Sequence, residues 1–222
     1  MSILFTLVTF LLFITISYLR HSRADEAARA PQLSIAGLRP PEMIRELGYE
    51  IPKGYAFQPG HTWMVAEGDQ NARVGIDSFA GTLLGKVDAI DVGSLNRWVR
   101  QGQKLLTLSQ NGHTVQMLSP VEGVVTAVNP KVLEDPGLIT RDPYGEGWVV
   151  KVNSPDLETN VKNLIRGTMV RPWMAHTLAR FRELTQPLVG AVAQDGGMPV
   201  PGLLLQVDKG LRRALVREFF LT

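Results

Sequence analysis

Cysteine is missing from all 222 residues. That one absence excludes disulfides, thiolate zinc sites, cysteine-ligated iron–sulfur clusters, CxxCH haem attachment and cysteine nucleophiles together, so any redox role has to be borrowed from a partner. An excess of one charge is also missing. Lys and Arg number 23 against 21 Asp and Glu, a formal net charge of +2, and a balance so even gives no reason to expect nucleic acid as a partner. The phosphate-cradling patterns GxxxxGK[ST] and GxGxxG do not occur, and neither do serine-hydrolase motifs. Histidine is scarce at four residues. His21 and His176 stand in basic surroundings that suggest no metal site.

Long apolar runs are lacking too, with one exception. "ILFTLVTFLLFITISYL", Ile3 to Leu19, carries no charge and is near the shortest run that crosses a bilayer as a helix. No basic residue precedes it, as one normally does in a secretory signal, and Arg20, His21 and Arg23 follow it. The expectation is an uncleaved transmembrane anchor over residues 1–22, with Tyr18 at the interface. The amino terminus would lie outside and the remainder on the cytoplasmic side, a single-pass protein of the inner (cytoplasmic) membrane. The rival reading is a cleaved signal ending near Ala28–Ala30. Residues 23–54 read as a linker containing one short helix, "PPEMIRELG" (Pro40–Gly48). Its prolines favour a helix start, Met43, Ile44 and Leu47 share a face, and Gly48 would end it.

From Tyr55 to about Asn153 the pattern changes to short strands separated by Gly, Pro, Asn and Asp. "HTWMVAE" and "ARVGI" flank the turn "GDQN", and "DSFAGTLLG" is a helical turn capped by Asp77 or Ser78 and stopped by Gly85. "KLLTLSQ" and "HTVQMLS" flank Asn111-Gly112, the favoured pair for a two-residue type I′ turn. The predicted register sets Gln110 opposite His113, Ser109 opposite Thr114, Leu108 opposite Val115 and Leu106 opposite Met117. The apolar pairs then share one face, as period-two alternation requires. Such a succession of short strands argues for a mainly β barrel or sandwich. After Asn153 the chain turns helical. "SPDLETNVKNLIRG" has Ser154 as cap, Pro155 first, and Val161, Leu164 and Ile165 on its apolar side. "RPWMAHTLARFREL" and "DKGLRRALVREFFL", the latter capped by Asp208, form a helical carboxyl-terminal extension over 166–222. Its aromatic residues Trp173, Phe181, Phe219 and Phe220 either pack on the barrel or form a docking helix for a partner or the membrane.

Few groups invite chemistry. His113 beside the turn has no carboxylate or second histidine near it in sequence and reads as a solvated hairpin residue. A catalytic or carrier role through it is the competing view. His61 reads as structural. Glu134, Asp135, Asp142 and Glu146 are interrupted by Pro and Gly, and read as turn residues rather than as a paired-carboxylate site.

Over about Phe57 to Ile165 the chain resembles the H protein of the glycine cleavage system, a lipoyl carrier of the barrel-sandwich hybrid type. The resemblance rests on "PGHTWMV", on "VGIDSFAGTLLGKVDAIDV", and on Ser119-Pro120, Gly123, Asn129, Pro136 and the run Asp142-Pro-Tyr-Gly-Glu-Gly-Trp148, in that order and spacing. It implies an H-protein-like β domain over 55–165. It also implies a lipoyl-bearing lysine at the hairpin tip, eight residues before the Ser-Pro proline. Counting back from Pro120 lands on Gly112. Ser109 and Gln116 stand where the family has acidic residues, and the nearest upstream lysine is Lys104. The resemblance therefore implies a degenerate, non-lipoylated member without a cofactor, a metal or catalysis of its own, whose tip (Asn111, Gly112, His113) is at most an interaction point. The expected role is a membrane-anchored scaffold or docking subunit of a bacterial membrane assembly, with an electron-transfer assembly as one setting. Its partners would be other protein subunits and the membrane. Two alternatives remain: a regulatory decoy for lipoate-handling or glycine-cleavage enzymes, and an aminomethyl carrier with an atypical attachment site.

Overall fold

The computed structural model describes residues 42–186, 193–194 and 198–221. The expected anchor, the signal-like Ala28–Ala30 and His21 lie outside the described residues. Among those described, no helix is long and apolar enough to cross a membrane.

Where a helix was expected over Pro40–Gly48, the described residues from Met43 onward form a hairpin instead. Strand β1 (Met43–Glu46) pairs antiparallel with β2 (Tyr49–Pro52), Ile44 opposite Ile51 and Glu46 opposite Tyr49. Leu47 and Gly48 form the turn, both with positive φ (52° and 93°), the geometry of a type I′ loop. The spacing of Met43, Ile44 and Leu47 suited a helix. However, Met43 and Leu47 are exposed, and it is the period-two pair Tyr49 and Ile51 that is buried. Tertiary burial outweighed the local helical pattern, and Gly48 is a turn residue, not a helix stop. A leucine in the left-handed region costs about 1–2 kcal/mol, and Asn tolerates it better. Leu47→Asn is therefore expected to stabilise the protein by up to about 1 kcal/mol, read as a rise in the thermal midpoint.

Ten further strands build two sheets. Strands β3 (Ala56–Phe57), β4 (Thr62–Ala66), β5 (Asn71–Ile76), β7 (Trp98–Val99), β10 (Gly123–Val128), β11 (Val150–Asn153) and β12 (Ile165–Arg166) form the larger, in the order β12-β3-β4-β5-β11-β10-β7. The smaller contains β6 (Ala89–Asp91), β8 (Lys104–Gln110) and β9 (His113–Leu118), in the order β6-β8-β9. Trp63, Val74, Val125 and Val152 from the first and Leu106, Leu108 and Met117 from the second are buried in one hydrophobic core. The mainly β, barrel-sandwich expectation therefore holds for this part of the chain. Helix α1 (Ser78–Leu84) is capped by Asp77, whose carboxylate accepts from the Ala80 N–H, and it stops at Gly85. Short helices α2 (Pro130–Glu134) and α3 (Leu138–Arg141) precede the turn that leads into β11.

Ser154 does not cap the following helix. Its N–H donates to the Gln70 carbonyl (2.7 Å), which keeps it extended at the end of β11, and α4 runs only over Leu157–Lys162. Ile165, expected on that helix's apolar side, pairs instead with Phe57 at the sheet edge. Helix α5 (Val170–Thr185), the short β13 (Ala193–Gln194) and β14 (Met198–Pro199), helix α6 (Leu203–Gln206) and helix α7 (Lys209–Phe220) complete the chain, with Asp208 capping α7 as expected.

These last helices share the barrel's core. The Phe79 ring of α1 stands 6.2 Å from Phe181 of α5 and 5.1 Å from Phe219 of α7. Gly85 is approached so closely by the chain before α6 that a Cβ there would lie 2.6 Å from the Gly202 Cα. The Gly202 N–H donates to the Thr82 carbonyl (2.9 Å). Arg180 of α5 donates to Glu218 of α7 (2.9 Å), and that bond chiefly holds the Glu218 carboxyl below the usual glutamate range. A carboxylate with a lowered folded pKa stabilises fully above its unfolded value and loses that contribution as pH falls through the folded one. The α5–α7 contact is thus expected to loosen on acidification, and Glu218→Gln to flatten that part of the stability–pH curve. The pair is partly exposed, so screening holds the effect to less than about 1 kcal/mol.

Candidate functional site

The hairpin that singled itself out in the sequence has the predicted register: Gln110 opposite His113, Ser109 opposite Thr114, Leu108 opposite Val115, Leu106 opposite Met117. Asn111 (φ 46°) and Gly112 (φ 76°) supply the two positive φ values of a type I′ turn. A Cβ placed on Gly112 would find nothing within 4 Å, so a longer residue here would project into solvent. Lys104 sits at the far end of β8, opposite Leu118, roughly 20 Å of strand away from the tip.

The tip is held, not free. The Gln110 side chain is buried and its amide donates to the carbonyls of Leu84 and Lys86, the latter at 2.9 Å. The Asn111 N–H donates to the Asp88 carboxylate (2.7 Å). The Arg212 guanidinium of α7 donates to Nε2 of His113, and donates also to the carbonyls of Leu204 (2.5 Å) and Val207 (3.2 Å). His113 is therefore not merely solvated: it is the acceptor that ties the carboxyl-terminal helix to the tip. Asp88 and Arg212 were not legible as tip residues, because nothing in local sequence relates positions 88 and 212 to 111 and 113.

A second histidine is held more tightly. His61 (φ 63°) is buried and its Nδ1–H donates to Asp77 Oδ2 at 2.6 Å. Its ring lies between Phe79 (4.6 Å) and Trp173 (4.9 Å). The Trp63 indole N–H donates to the Ile76 carbonyl at 2.7 Å, so both ring residues of the His-x-Trp strand are structural. Of the two readings of the carboxyl-terminal aromatic residues, packing on the barrel is the one observed, and the docking-helix alternative is corrected. Phe181, Phe219 and Phe220 are fully or almost fully buried, and Trp173 packs on Phe57 and His61. The apolar stripes of α5 and α7 cover the barrel, and are not open to a partner or a membrane.

The acidic run forms turns, as read. Asp142 accepts from the Gly145 and Glu146 N–H groups (3.1 and 2.7 Å), Asp135 pairs with Arg141, and Glu146 with Lys131. Tyr144 within the run receives the Tyr55 hydroxyl at its carbonyl and the Ser78 N–H at its own hydroxyl, both 3.1 Å. Burial first, and the Asp77 charge second, push that hydroxyl far above the usual tyrosine range, so it remains a neutral structural group. Asn129 caps α2 and also donates to the carbonyls of Glu146 and Trp148, both 2.7 Å. Among the described residues no group of three or more His, Asp and Glu could hold a metal ion.

Comparison with known proteins finds relatives over the barrel segment of the chain. The family model "Glycine cleavage H-protein" matches residues 55–176. The glycine cleavage system H protein of Bifidobacterium longum is 33% identical over 117 residues, covering 53% of this chain and 85% of that one. That of Rubrobacter xylanophilus is 36% identical over 111 residues, covering 49% and 87%. That of Mycobacterium avium is 31% identical over 128 residues, covering 54% and 97%. A glycine cleavage system H protein structure from Mycobacterium marinum is similar at a TM-score of 0.49 and 23% identity, over 57% of this chain and 98% of that one. The matched segment begins at Tyr55, contains the hairpin, the buried His-x-Trp strand and the Asp142–Trp148 turn, and ends within α5. Through it, the chain belongs to the glycine cleavage H-protein family.

Proposed function

We propose that this protein is a non-carrier member of the family, a membrane-anchored docking subunit with no lipoyl group and no catalysis of its own. The observation that carries the reading is Gly112 at the tip, where an attachment site would need an amine. Neighbouring contacts support it. Gln110, Asn111 and His113 are each bonded to other parts of the chain, which suits a fixed recognition surface better than a swinging arm. The uncharged run Ile3–Leu19 supports the anchor, and the absence of cysteine leaves any electron carriers to neighbouring subunits.

The test is isolation of the native protein from its own membranes in mild detergent, with intact mass and identification of what stays bound. The unmodified chain mass and a stoichiometric set of membrane proteins are expected. A mass raised by a lipoyl group would overturn the reading. Recovery with soluble lipoate-handling enzymes alone would replace it with a regulatory decoy.

A further inference from the structure

Strand β9 is the outer strand of its sheet. Because the two residues Asn111 and Gly112 close the loop, Gln110 and His113 exchange both main-chain hydrogen bonds, and the pattern alternates from there. Thr114 and Gln116 therefore point their N–H and C=O groups away from β8. The phase is corroborated across the hairpin, where Ser109, opposite Thr114, turns its carbonyl outward to the Asp88 N–H at 2.9 Å. Among the described residues no main-chain group meets those of Thr114 and Gln116. An open edge of this kind is a template for another strand.

Helix α7 flanks this edge. Between the two runs a groove made of two cavities, about 340 and 490 Å³, that share Thr114 and Val216. Lys209, Arg212 and Arg213 line one end and Lys104 the other, and neither cavity is lined by an Asp or a Glu. Lys209 and Arg213 are one helical turn apart on the same face of α7. Among the described residues no carboxylate pairs with Lys104, Lys209 or Arg213. Four cations in one groove are a marked concentration in a chain whose net charge is +2.

We propose that this groove docks an extended acidic segment of a partner protein, added as a fourth strand against Thr114 and Gln116, its carboxylates facing Lys209 and Arg213. The proposal rests on the docking-subunit reading and names the chemistry of the partner. Unpaired main-chain groups call for a peptide rather than a small anion, and the basic walls select its charge.

The probe is a capped, fluorescein-labelled octapeptide of alternating Glu and Val, titrated into the full-length protein in detergent and read by fluorescence anisotropy. Micromolar binding is expected, with no binding of the Lys/Val counterpart. The double variant Lys209→Glu/Arg213→Glu is expected to weaken it at least about tenfold. Gln116→Pro should weaken it similarly while the circular dichroism spectrum is retained, because the N–H it removes lies outside the β8–β9 ladder. The proposal is overturned by no binding at millimolar peptide, by equal binding of an acidic peptide with a central proline, or by full displacement with inorganic phosphate, which would leave a simple anion site. The native isolation keeps the two readings apart. A lipoylated mass defeats the non-carrier reading whatever the peptide does. Retention of all membrane partners by the charge-reversed variant spares that reading and removes the groove as their docking face.

Discussion

Replacing Asp77 with alanine is expected to destabilise the protein by about 3–5 kcal/mol, the usual cost of removing one partner of a buried pair. Asp77 is fully buried and its two oxygens do different work: Oδ2 accepts from His61 Nδ1 at 2.6 Å, and Oδ1 accepts from the Ala80 N–H at 2.8 Å to start α1. Alanine strands a buried imidazole and leaves an orphaned donor at the helix start, where a cap alone is worth about 1 kcal/mol. Asp77→Asn keeps a carbonyl oxygen that can serve as the cap but loses the charge that strengthens both bonds, so it should fall between wild type and alanine. Urea denaturation of the three proteins measures the series. A loss under about 1 kcal/mol for alanine would mean that water or a neighbour replaces the carboxylate, and that the His61–Asp77 pair is not what anchors α1.

Phe79→Ala should cost about as much, roughly 3–5 kcal/mol for a fully buried phenylalanine, but its signature differs. The Phe79 ring touches Tyr49 of the amino-terminal hairpin (6.0 Å), His61 of the barrel (4.6 Å), Phe181 of α5 and Phe219 of α7. Removing it opens a cavity where all four meet. The carboxyl-terminal helices have fewer other ties to the barrel than the strands have to each other, so they are expected to loosen first. Limited proteolysis should cut near α7 faster in the variant than in wild type, while the β-sheet signal in circular dichroism is retained below the global transition. Loss of sheet and helix together, in one two-state transition, would show that the extension and the barrel unfold as a single cooperative unit and that Phe79 only adds to their common stability.

The strand pairs flanking "GDQN" and Asn111-Gly112, the register of the latter, the Asp77 and Asp208 caps and the turn around Asp142 were legible because each is written over a few adjacent residues. The failures have the same origin. Met43, Ile44 and Leu47 carry a helical spacing, and only the burial of Tyr49 against Phe79 and of Ile51 in the core makes the segment a hairpin. Ser154-Pro155 is a good helix start on its own, and a hydrogen bond from Ser154 to the distant Gln70 keeps it extended. Phe181, Phe219 and Phe220 look the same in sequence whether their stripe faces lipid, a partner or the chain's own barrel.

Family membership, the hairpin and the glycine at its tip therefore follow from order and spacing along the chain, since turn chemistry and strand alternation act over two to eight residues. Three features depended on packing between segments far apart in sequence: the covering of the barrel by α5 and α7, the capture of His113 by Arg212, and the basic groove beside β9. Local propensity carries no term for a contact between positions 113 and 212, and only the closed core, by bringing β9 and α7 together, places those side chains within reach of one another.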